Sequence, residues 1–375
     1  MGKGGAVGIL VVLAQVAGPG CGSSTSATGG AGQTGTGGQS STGQGGGSGT
    51  GSLPSGYGWV SYPGAGYTVN AIWGDRSVSL WAVTMGGQLL LWDGVQWTFE
   101  FGGQMPALYS VWGLPGQTDI YFVGDGQQFY HLRGSTITDV GVGSSDNRAV
   151  WAARGDQVWL GMNVAVGGLS MSDVTTTLRS STIEGPSDLA GVRAIWGATA
   201  DDIWVIDNAG DLIHGVAGTW TRMSPIQDPR LTAVHGVSAR DVWAVGPYAL
   251  LHWNGGTWTE IDSGYNAGFV AVWASGPNEA WVAGDGGWIA HATLTTLQGT
   301  PSGTTRDLYT VWGTSRTDVW VGGLDGLLLH YEPTPGGGQP DAGQGCKARD
   351  EECGPGECCA PYNCRRILDV GLCGY

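Results

Sequence analysis

Short apolar stretches that end in an aromatic residue recur along this chain between Ile72 and His330. A polar turn follows each stretch, and then a second apolar stretch, which in five copies has an acidic residue two positions before an aromatic. A third stretch ends at histidine in five copies. Apolar runs of this length, bounded by Gly, Asn and Asp, predict β-strands. The pattern therefore predicts an all-β chain built from one repeated unit.

The repeat has a regular period. Its first aromatic falls at Trp73, Trp112, Trp151, Trp196, His235, Trp273 and Trp312, with steps of 39, 39, 45, 39, 38 and 39 residues. This period fits one four-stranded blade of a β-propeller and is too long for one rung of a β-helix. We therefore predict a seven-bladed β-propeller over residues 56–331.

The two ends of the repeat region complement each other. The last copy lacks a fourth strand, because after Tyr331 the chain runs into the Pro-containing stretch Glu332–Gly336. Ahead of the first full copy, Gly56–Val60 has the pattern of a fourth strand without a blade. Pairing these ends would remove open sheet edges. We therefore predict that the N-terminal strand closes the propeller.

A second aromatic follows the first in every copy, at Trp81, Tyr121, Trp159, Trp204, Trp243, Trp281 and Trp320. The spacing of eight or nine residues places the two aromatics on neighbouring strands of one sheet. Because each aromatic side chain buries about 150 to 250 Å², we interpret most of the 19 tryptophans as packing between blades. The alternative is that some of them form exposed platforms for sugar rings.

Acidic residues and histidines also recur. The acidic positions are Asp119, Asp202, Asp241, Glu279 and Asp318, and the histidines are His131, His214, His252, His291 and His330. Catalysis or metal binding needs such groups to converge on one point, whereas a repeat distributes them around a ring. We therefore predict structural pairs, in which a buried carboxylate binds an imidazole or turn amides within each blade.

Propellers usually bind ligands on the face that carries the loops between second and third strands, and we place the candidate binding residues there. They are Asp125, Asp207, Asp211, Tyr248, Asp285, Trp288 and Asp325. Such a ring could hold a cation such as Ca²⁺, a carbohydrate or a peptide. The alternative is that the Asp-Gly pairs are simply turn residues. No other cofactor is predicted.

The sequence has no nucleophile elbow, metal-ligand spacing, phosphate-binding loop or fixed carboxylate pair, so we predict no catalytic residue and no metal site. The net charge is −15 and the repeat region has no lysine, which argues against nucleic-acid binding because that requires clustered cations. We predict a monomeric, non-enzymatic binding or scaffold protein with a carbohydrate or protein ligand. The alternative is an extracytoplasmic propeller hydrolase or lyase acting on polysaccharide.

The N-terminus is typical of an exported chain. Lys3, the apolar run Ala6–Val16 and the small residues before Cys21 predict a signal sequence at 1–21, and the Gly-, Ser- and Thr-rich residues 22–55 predict a disordered linker. Gly20-Cys21 resembles the lipobox of bacterial lipoproteins, although Leu and a small residue usually precede that pair. The resemblance implies lipidation of Cys21 and anchoring to the outer membrane or cell surface.

The C-terminus predicts a separate module. After a Pro- and Gly-rich linker at 332–345, residues 346–375 contain six of the seven cysteines, at Cys346, Cys353, Cys358, Cys359, Cys364 and Cys373. The spacing resembles that of knottins, and this resemblance implies the pairs Cys346–Cys359, Cys353–Cys364 and Cys358–Cys373. The cysteine count alone leaves fifteen pairings open. Disulfides would replace the core that so short a module lacks.

The repeats themselves resemble the Trp-rich propeller repeats of secreted bacterial lipoproteins, often myxobacterial, and more loosely BNR-type and assembly-factor propellers. They lack the ordered Gly-His to Trp-Asp signature of WD40 repeats. In Trp92-Asp93-Gly94 the Asp directly precedes the Gly, unlike in a sialidase Asp-box. The resemblance implies the fold far more strongly than it implies a function.

Overall fold

The computed structural model describes residues 53–334, with gaps at 65, 78, 103–105, 142–145, 156, 164–165, 170–180, 183–190, 224–225, 227–229 and 263–267. It also describes the C-terminal segments 352–353, 363–367 and 370–374. Cys21, the predicted signal sequence, nearly all of the first linker and the side chains of the six C-terminal cysteines lie outside the described residues. The lipidation and disulfide predictions therefore stay predictions.

After β1 (Tyr57–Tyr62), six four-stranded antiparallel sheets follow in chain order, each made of consecutive strands, and we number them blades 1 to 6. Blade 1 comprises β2 (Val69–Arg76), β3 (Ser79–Thr84), β4 (Gln88–Trp92) and β5 (Trp97–Gly102). Blade 2 comprises β6 (Leu108–Gly113), β7 (Asp119–Gly124), β8 (Phe129–Arg133) and β9 (Thr136–Asp139). Blade 3 comprises β10 (Asn147–Arg154), β11 (Gln157–Met162), β12 (Val166–Leu169) and β13 (Ser181–Thr182).

The second half repeats the plan. Blade 4 comprises β14 (Val192–Thr199), β15 (Asp202–Asp207), β16 (Leu212–Val216) and β17 (Thr219–Met223). Blade 5 comprises β18 (Ala233–Ser238), β19 (Asp241–Gly246), β20 (Ala249–Trp253) and β21 (Trp258–Glu260). Blade 6 comprises β22 (Phe269–Gly276), β23 (Glu279–Gly284), β24 (Ile289–Thr293) and β25 (Leu297–Gly299).

A further four-stranded sheet, which we call the closing sheet, joins the two ends of the repeat region. It contains β26 (Leu308–Ser315), β27 (Asp318–Gly323) and β28 (Leu328–Pro333), and β1 is its outer strand. The register of β1 against β28 runs from Tyr57 opposite Pro333 to Tyr62 opposite Leu328. The prediction that the N-terminal strand completes the last sheet is confirmed. The chain is thus an all-β propeller whose final sheet is a composite of both ends.

Helical structure is nearly absent from the described part of the chain, where two 3-10 turns occur, at Asp285–Gly287 and Leu324–Gly326. No helix among these residues has the length and apolar character needed to cross a membrane. Near the C-terminus, β29 (Glu352–Cys353), β30 (Asn363–Ile367) and β31 (Val370–Gly374) form a small sheet in the order β29-β31-β30.

The first aromatic of each repeat lies on the innermost strand. In several sheets the glycine after it receives the aromatic ring of the preceding blade: a Cβ at Gly113 would lie 2.3 Å from Trp73, and one at Gly236 would lie 2.7 Å from Trp196. Any side chain there would have to displace an indole, which explains the recurring aromatic-Gly step.

Three of these inner aromatics meet across the centre of the ring. The rings of Trp112 and Trp312 lie 5.5 Å apart, and His235 lies 5.3 Å from Trp312 and 6.4 Å from Trp112. Burial lowers the pKa of His235 to about 3, so its imidazole is neutral. At this level the propeller axis is filled by aromatic side chains.

Candidate functional site

The predicted binding residues all lie at one face of the propeller, which we call the loop face. It comprises the turns between second and third strands together with the starts of the first strands. Register pairs such as Leu108 opposite Gly124 and Leu308 opposite Gly323 bring these two sets of residues to the same edge. The face carries Asp125 after β7, Asp207 at the end of β15 and Asp211 after it, Tyr248 after β19, Asp285 and Trp288 after β23, and Asp325 after β27.

A β-bulge sits at this edge in six sheets, because one extra residue of each first strand breaks the register. The extra residues are Asn70, Tyr109, Arg148, Arg193, Val270 and Tyr309. Bulges re-aim a side chain and often lie beside binding sites. These positions were not predicted from the sequence, although the sequence contains a signal for them. Each lies three residues before the first aromatic, and four residue types (Asn, Tyr, Arg and Val) occupy the position in the six sheets.

The recurring acidic residues and histidines do not lie at the loop face. In five of the sheets the His Nε2 lies beside the carboxylate, at 2.6 Å for Asp119–His131, 2.7 Å for Asp202–His214 and 3.0 Å for Asp241–His252. The distance is 3.5 Å for Glu279–His291 and 2.7 Å for Asp318–His330. The prediction of structural pairs inside the blades is confirmed in these five sheets.

One cluster on the loop face joins blades 2 and 3, and we call it the Arg148 cluster. Tyr109 donates its hydroxyl hydrogen bond to Asp125 at 2.9 Å, and the Arg148 guanidinium lies 3.9 Å from the centre of the Tyr109 ring. Arg148 Nη2 also lies 3.5 Å from Asp125 Oδ1 and 3.2 Å from Asp146 Oδ2. The backbone amide of Gly126 donates to Asp146 Oδ1 at 3.1 Å. Asp125, one of the predicted binding residues, is thus already paired with the Arg148 guanidinium.

In blade 4 the candidate acidic residues Asp207 and Asp211 stabilise the turn between β15 and β16. Asp207 is fully buried, and its Oδ1 accepts the amides of Ala209 at 3.0 Å and Asp211 at 2.9 Å. Asp211 forms an ion pair with Arg222, whose Nη1 also lies 3.6 Å from Asp207 Oδ2. These contacts are those of an Asx-turn held by one arginine.

The equivalent position between blade 6 and the closing sheet carries Asp285, Asp307 and Tyr309, which we call the Asp285 cluster. The amide of Gly286 donates to Asp307 Oδ1 at 2.8 Å. Burial and the charge of Asp307 raise the pKa of Asp285. Burial and the charges of Asp307 and Asp285 likewise raise the pKa of Tyr309. The two carboxylates and the phenol are therefore close enough to influence one another.

A cleft of about 750 Å³ adjoins this cluster and is lined by 286–289 and 299–306. Its volume is in the range of small-ligand sites. Trp288 lies over Gly299, where a Cβ would come within 3.3 Å of the indole, and a Cβ at Gly287 would lie 2.2 Å from the Thr304 carbonyl oxygen. Thr300 accepts a hydrogen bond from Trp59 Nε1 at 3.0 Å. Close packing and the N-terminal strand thus hold both walls of the cleft.

The loop face also exposes large side chains. Tyr248 is 63% exposed, Tyr67 is 50% exposed and Met85 is 49% exposed. Tyr67 lies against Gly86, where a Cβ would be 2.5 Å from the ring. Asp325 adopts a left-handed conformation with φ of 56°, and its Oδ2 lies 3.9 Å from Arg306 Nε.

Among the described residues, no group of three or more His, Cys, Asp or Glu side chains is placed to hold a metal ion. The Ca²⁺ hypothesis therefore stays a prediction.

Solved structures share this fold at low sequence identity. YCF48 bound to D1 peptide aligns with a TM-score of 0.61 and 15% identity over 74% of this chain and 97% of that one. The WD40 propeller domain of Doa1 aligns with a TM-score of 0.60 and 13% identity, covering 74% and 97% of the two chains. A catalytically inactive virginiamycin B lyase from Staphylococcus aureus, with Quinupristin, aligns with 0.61 and 10%, covering 74% and 99%.

No protein-family model and no curated protein sequence matches the chain. At these identities the likeness to solved structures concerns the fold alone, since propellers host many unrelated functions. The fold and these alignments define the chain as a β-propeller protein.

Proposed function

We propose that this chain is a non-enzymatic binding or scaffold protein that holds a protein or peptide ligand on its loop face. Aromatic residues, Met and Arg are the side chains most enriched at protein interfaces. The loop face carries several of them: Tyr67, Met85, Tyr109, Arg148, Tyr248, Trp288 and Tyr309.

One observation carries this proposal. The aromatic, acidic and histidine residues that repeat in the blades form contacts inside the propeller. The loop face instead exposes large side chains that differ among the copies. At the opposite edge the exposed apolar residues are aliphatic side chains, such as Val237 and Leu294. A surface of varied aromatic residues fits recognition of a ligand better than it fits packing.

The compared structures are compatible with this ligand class. YCF48 is described bound to D1 peptide, and the similarity offers a propeller precedent for peptide binding without establishing it for this chain. We further propose that the protein is exported, monomeric and anchored through a lipid on Cys21 to the outer membrane or cell surface. The lipobox resemblance supports the anchor.

The test is direct binding of the purified full-length chain to a peptide array and a glycan array. We expect peptide ligands whose binding is lost in Tyr248→Ala and Tyr67→Ala. Val237→Ala and Leu294→Ala, at similarly exposed positions of the opposite edge (44% and 46%), are matched controls that should bind normally.

Each outcome decides the proposal. Binding to glycans alone would replace the peptide ligand with a carbohydrate. Turnover of a polysaccharide by the same preparation would favour the hydrolase or lyase alternative. Binding that the opposite-edge variants remove, and the loop-face variants do not, would refute the choice of face.

A further inference from the structure

The Arg148 cluster shows what two loop-face carboxylates accommodate in this fold. Asp125 directly follows a second strand, and Asp146 directly precedes the next first strand. Between them lies one guanidinium, stacked on a tyrosine ring at 3.9 Å and within 3.5 Å of both carboxylates. A planar guanidinium suits this place because it pairs with carboxylates and stacks on an aromatic ring at once.

The Asp285 cluster has the same pair of carboxylates without the cation, and Val270 stands at the position of Tyr109. Asp285 directly follows β23 and Asp307 directly precedes β26, so they match Asp125 and Asp146 in position. The supporting hydrogen bond is also the same, from the amide of Gly286 to Asp307 as from that of Gly126 to Asp146. The position of Arg148 is taken by Tyr309, the bulge residue of β26.

No cationic side chain replaces the missing arginine in the part of the chain that the structure describes. The nearest basic residue in sequence, Arg306, directs its Nε to Asp325 at 3.9 Å, and no ion pair of Asp285 or Asp307 is found there. Burial and the negative charge of Asp307 raise the pKa of Asp285, whereas Asp125 lies beside the positive charge of Arg148. Two neighbouring carboxylates that form no ion pair with a described basic side chain favour a positively charged ligand.

The adjoining cleft supplies the rest of a peptide site. Trp288 and Pro301 line the cleft, and Gly286 and Gly303, where a Cβ would meet nothing within 4 Å, leave room for a backbone to approach. Because packing and hydrogen bonds already hold the walls, little ordering would be required on binding.

We propose that the cleft between blade 6 and the closing sheet binds an extended peptide segment of a protein partner. An arginine side chain of that peptide lies on Tyr309 between Asp285 and Asp307, while a neighbouring residue packs on Trp288. The inference rests on the proposed function and names the chemistry of its ligand.

The test uses two immobilised peptide libraries of the form acetyl-Gly-Xaa-Xaa-Arg-Xaa-Xaa-Gly-amide, in which the second library has citrulline in place of arginine. Citrulline keeps the shape of arginine and lacks its charge. We expect the full-length chain to bind the best arginine peptides at least about tenfold more tightly than their citrulline counterparts, as is typical for loss of a charged hydrogen bond.

Variants then place the binding in the cleft. Asp285→Asn and Asp307→Asn should each weaken binding of the selected arginine peptides by about tenfold. Tyr309→Arg should abolish binding, because it provides an internal guanidinium as Arg148 does. Asp125→Asn is the matched control, since its carboxylate is already paired, and should leave binding unchanged. Thermal unfolding of every variant verifies that the fold is retained.

The outcomes separate this inference from the function on which it rests. Equal binding of arginine and citrulline peptides, or binding that Asp285→Asn and Tyr309→Arg leave intact, would overturn the cleft assignment. If Tyr248→Ala then removed that binding, the loop face would remain a peptide-binding surface. If neither library bound, this inference would fail, and the peptide array would decide the peptide-binding proposal separately.

Discussion

The interior of the blades and the loop face differ in how far the same residues recur at equivalent positions of the repeats. In the interior the same groups return at the same register, as when Trp204 stacks on His214 at 3.7 Å and Trp320 stacks on His330 at 4.2 Å. On the loop face, equivalent bulge positions carry Arg148 in blade 3 and Tyr309 in the closing sheet. Repeated residues hold the sheets together, and residues that vary among copies are available for recognition.

The largest expected effect comes from removing the N-terminal strand. Deletion of residues 56–63 would open the edge of β28 and remove Trp59, 5.6 Å from Trp281, and Tyr62, 5.0 Å from Trp320. Loss of two packed aromatics and one strand should cost more than about 5 kcal/mol of unfolding free energy. Circular dichroism should show a much lower melting temperature. An unchanged melting temperature would show that closure contributes nothing.

A single interior tryptophan should matter nearly as much. Trp204 is completely buried, so Trp204→Ala should lower the unfolding free energy by about 3 to 5 kcal/mol. Tyr248→Ala, at a 63% exposed loop-face position, should change it by no more than about 0.5 kcal/mol. Urea unfolding of both variants gives the comparison, and similar values would erase the distinction between the two regions.

The interior and loop-face carboxylates should also differ. Asp241 accepts hydrogen bonds from Trp243 Nε1 at 3.1 Å and the Asn278 amide at 2.6 Å, and it lies 3.0 Å from His252 Nε2. Asp241→Ala leaves these groups without their acceptor and should cost about 3 kcal/mol. Asp285→Asn should cost less than about 0.5 kcal/mol. A stability loss at Asp285 as large as at Asp241 would mean that it, too, is structural.

The smallest expected effect is a pH dependence at the closing sheet. Burial disfavours the charged form of His330, but hydrogen bonds and charges of Asp318 and Glu332 outweigh it and raise its pKa. A raised folded-state pKa gives stability that is complete below the unfolded value of about 6.5 and is lost as pH rises through the folded value.

Urea unfolding of the wild type and His330→Gln between pH 6 and 9 measures this contribution, because the other titrations cancel in the difference. The advantage of the wild type should shrink as pH rises. An advantage that grows with pH would contradict the assigned charge state. The loop-face variant Tyr248→Ala should show no such pH-dependent difference.

Much of the fold could be predicted because its signals are local. The eight-residue step between Trp73 and Trp81 places them on paired strands, and the two are direct register partners. The Pro-containing stretch after Tyr331 and the strand-like Gly56–Val60 likewise indicated the closure seen in β1 and β28. The filling of the axis by Trp112, His235 and Trp312 was not predicted, because it depends on rings from distant blades meeting at the centre.

The candidate site was predicted only in part. Asp285 and Trp288 were singled out from one turn, but Asp307 and Tyr309 were missed because they belong to the next sheet. Asp125 and Asp285 look alike in sequence, each an Asp-Gly pair after a second strand. The structure separates them, since Arg148 neutralises the first and no described cation pairs with the second.

By itself, the sequence determined the strands, their period, the aromatic pairs and the carboxylate–histidine pairs inside the blades, because these follow from spacing within one repeat. The tertiary structure alone decided which loop-face charges are neutralised, which aromatics fill the axis and where a cleft opens. Those properties depend on distances across blade boundaries, which the packing of neighbouring sheets sets and residue spacing does not encode.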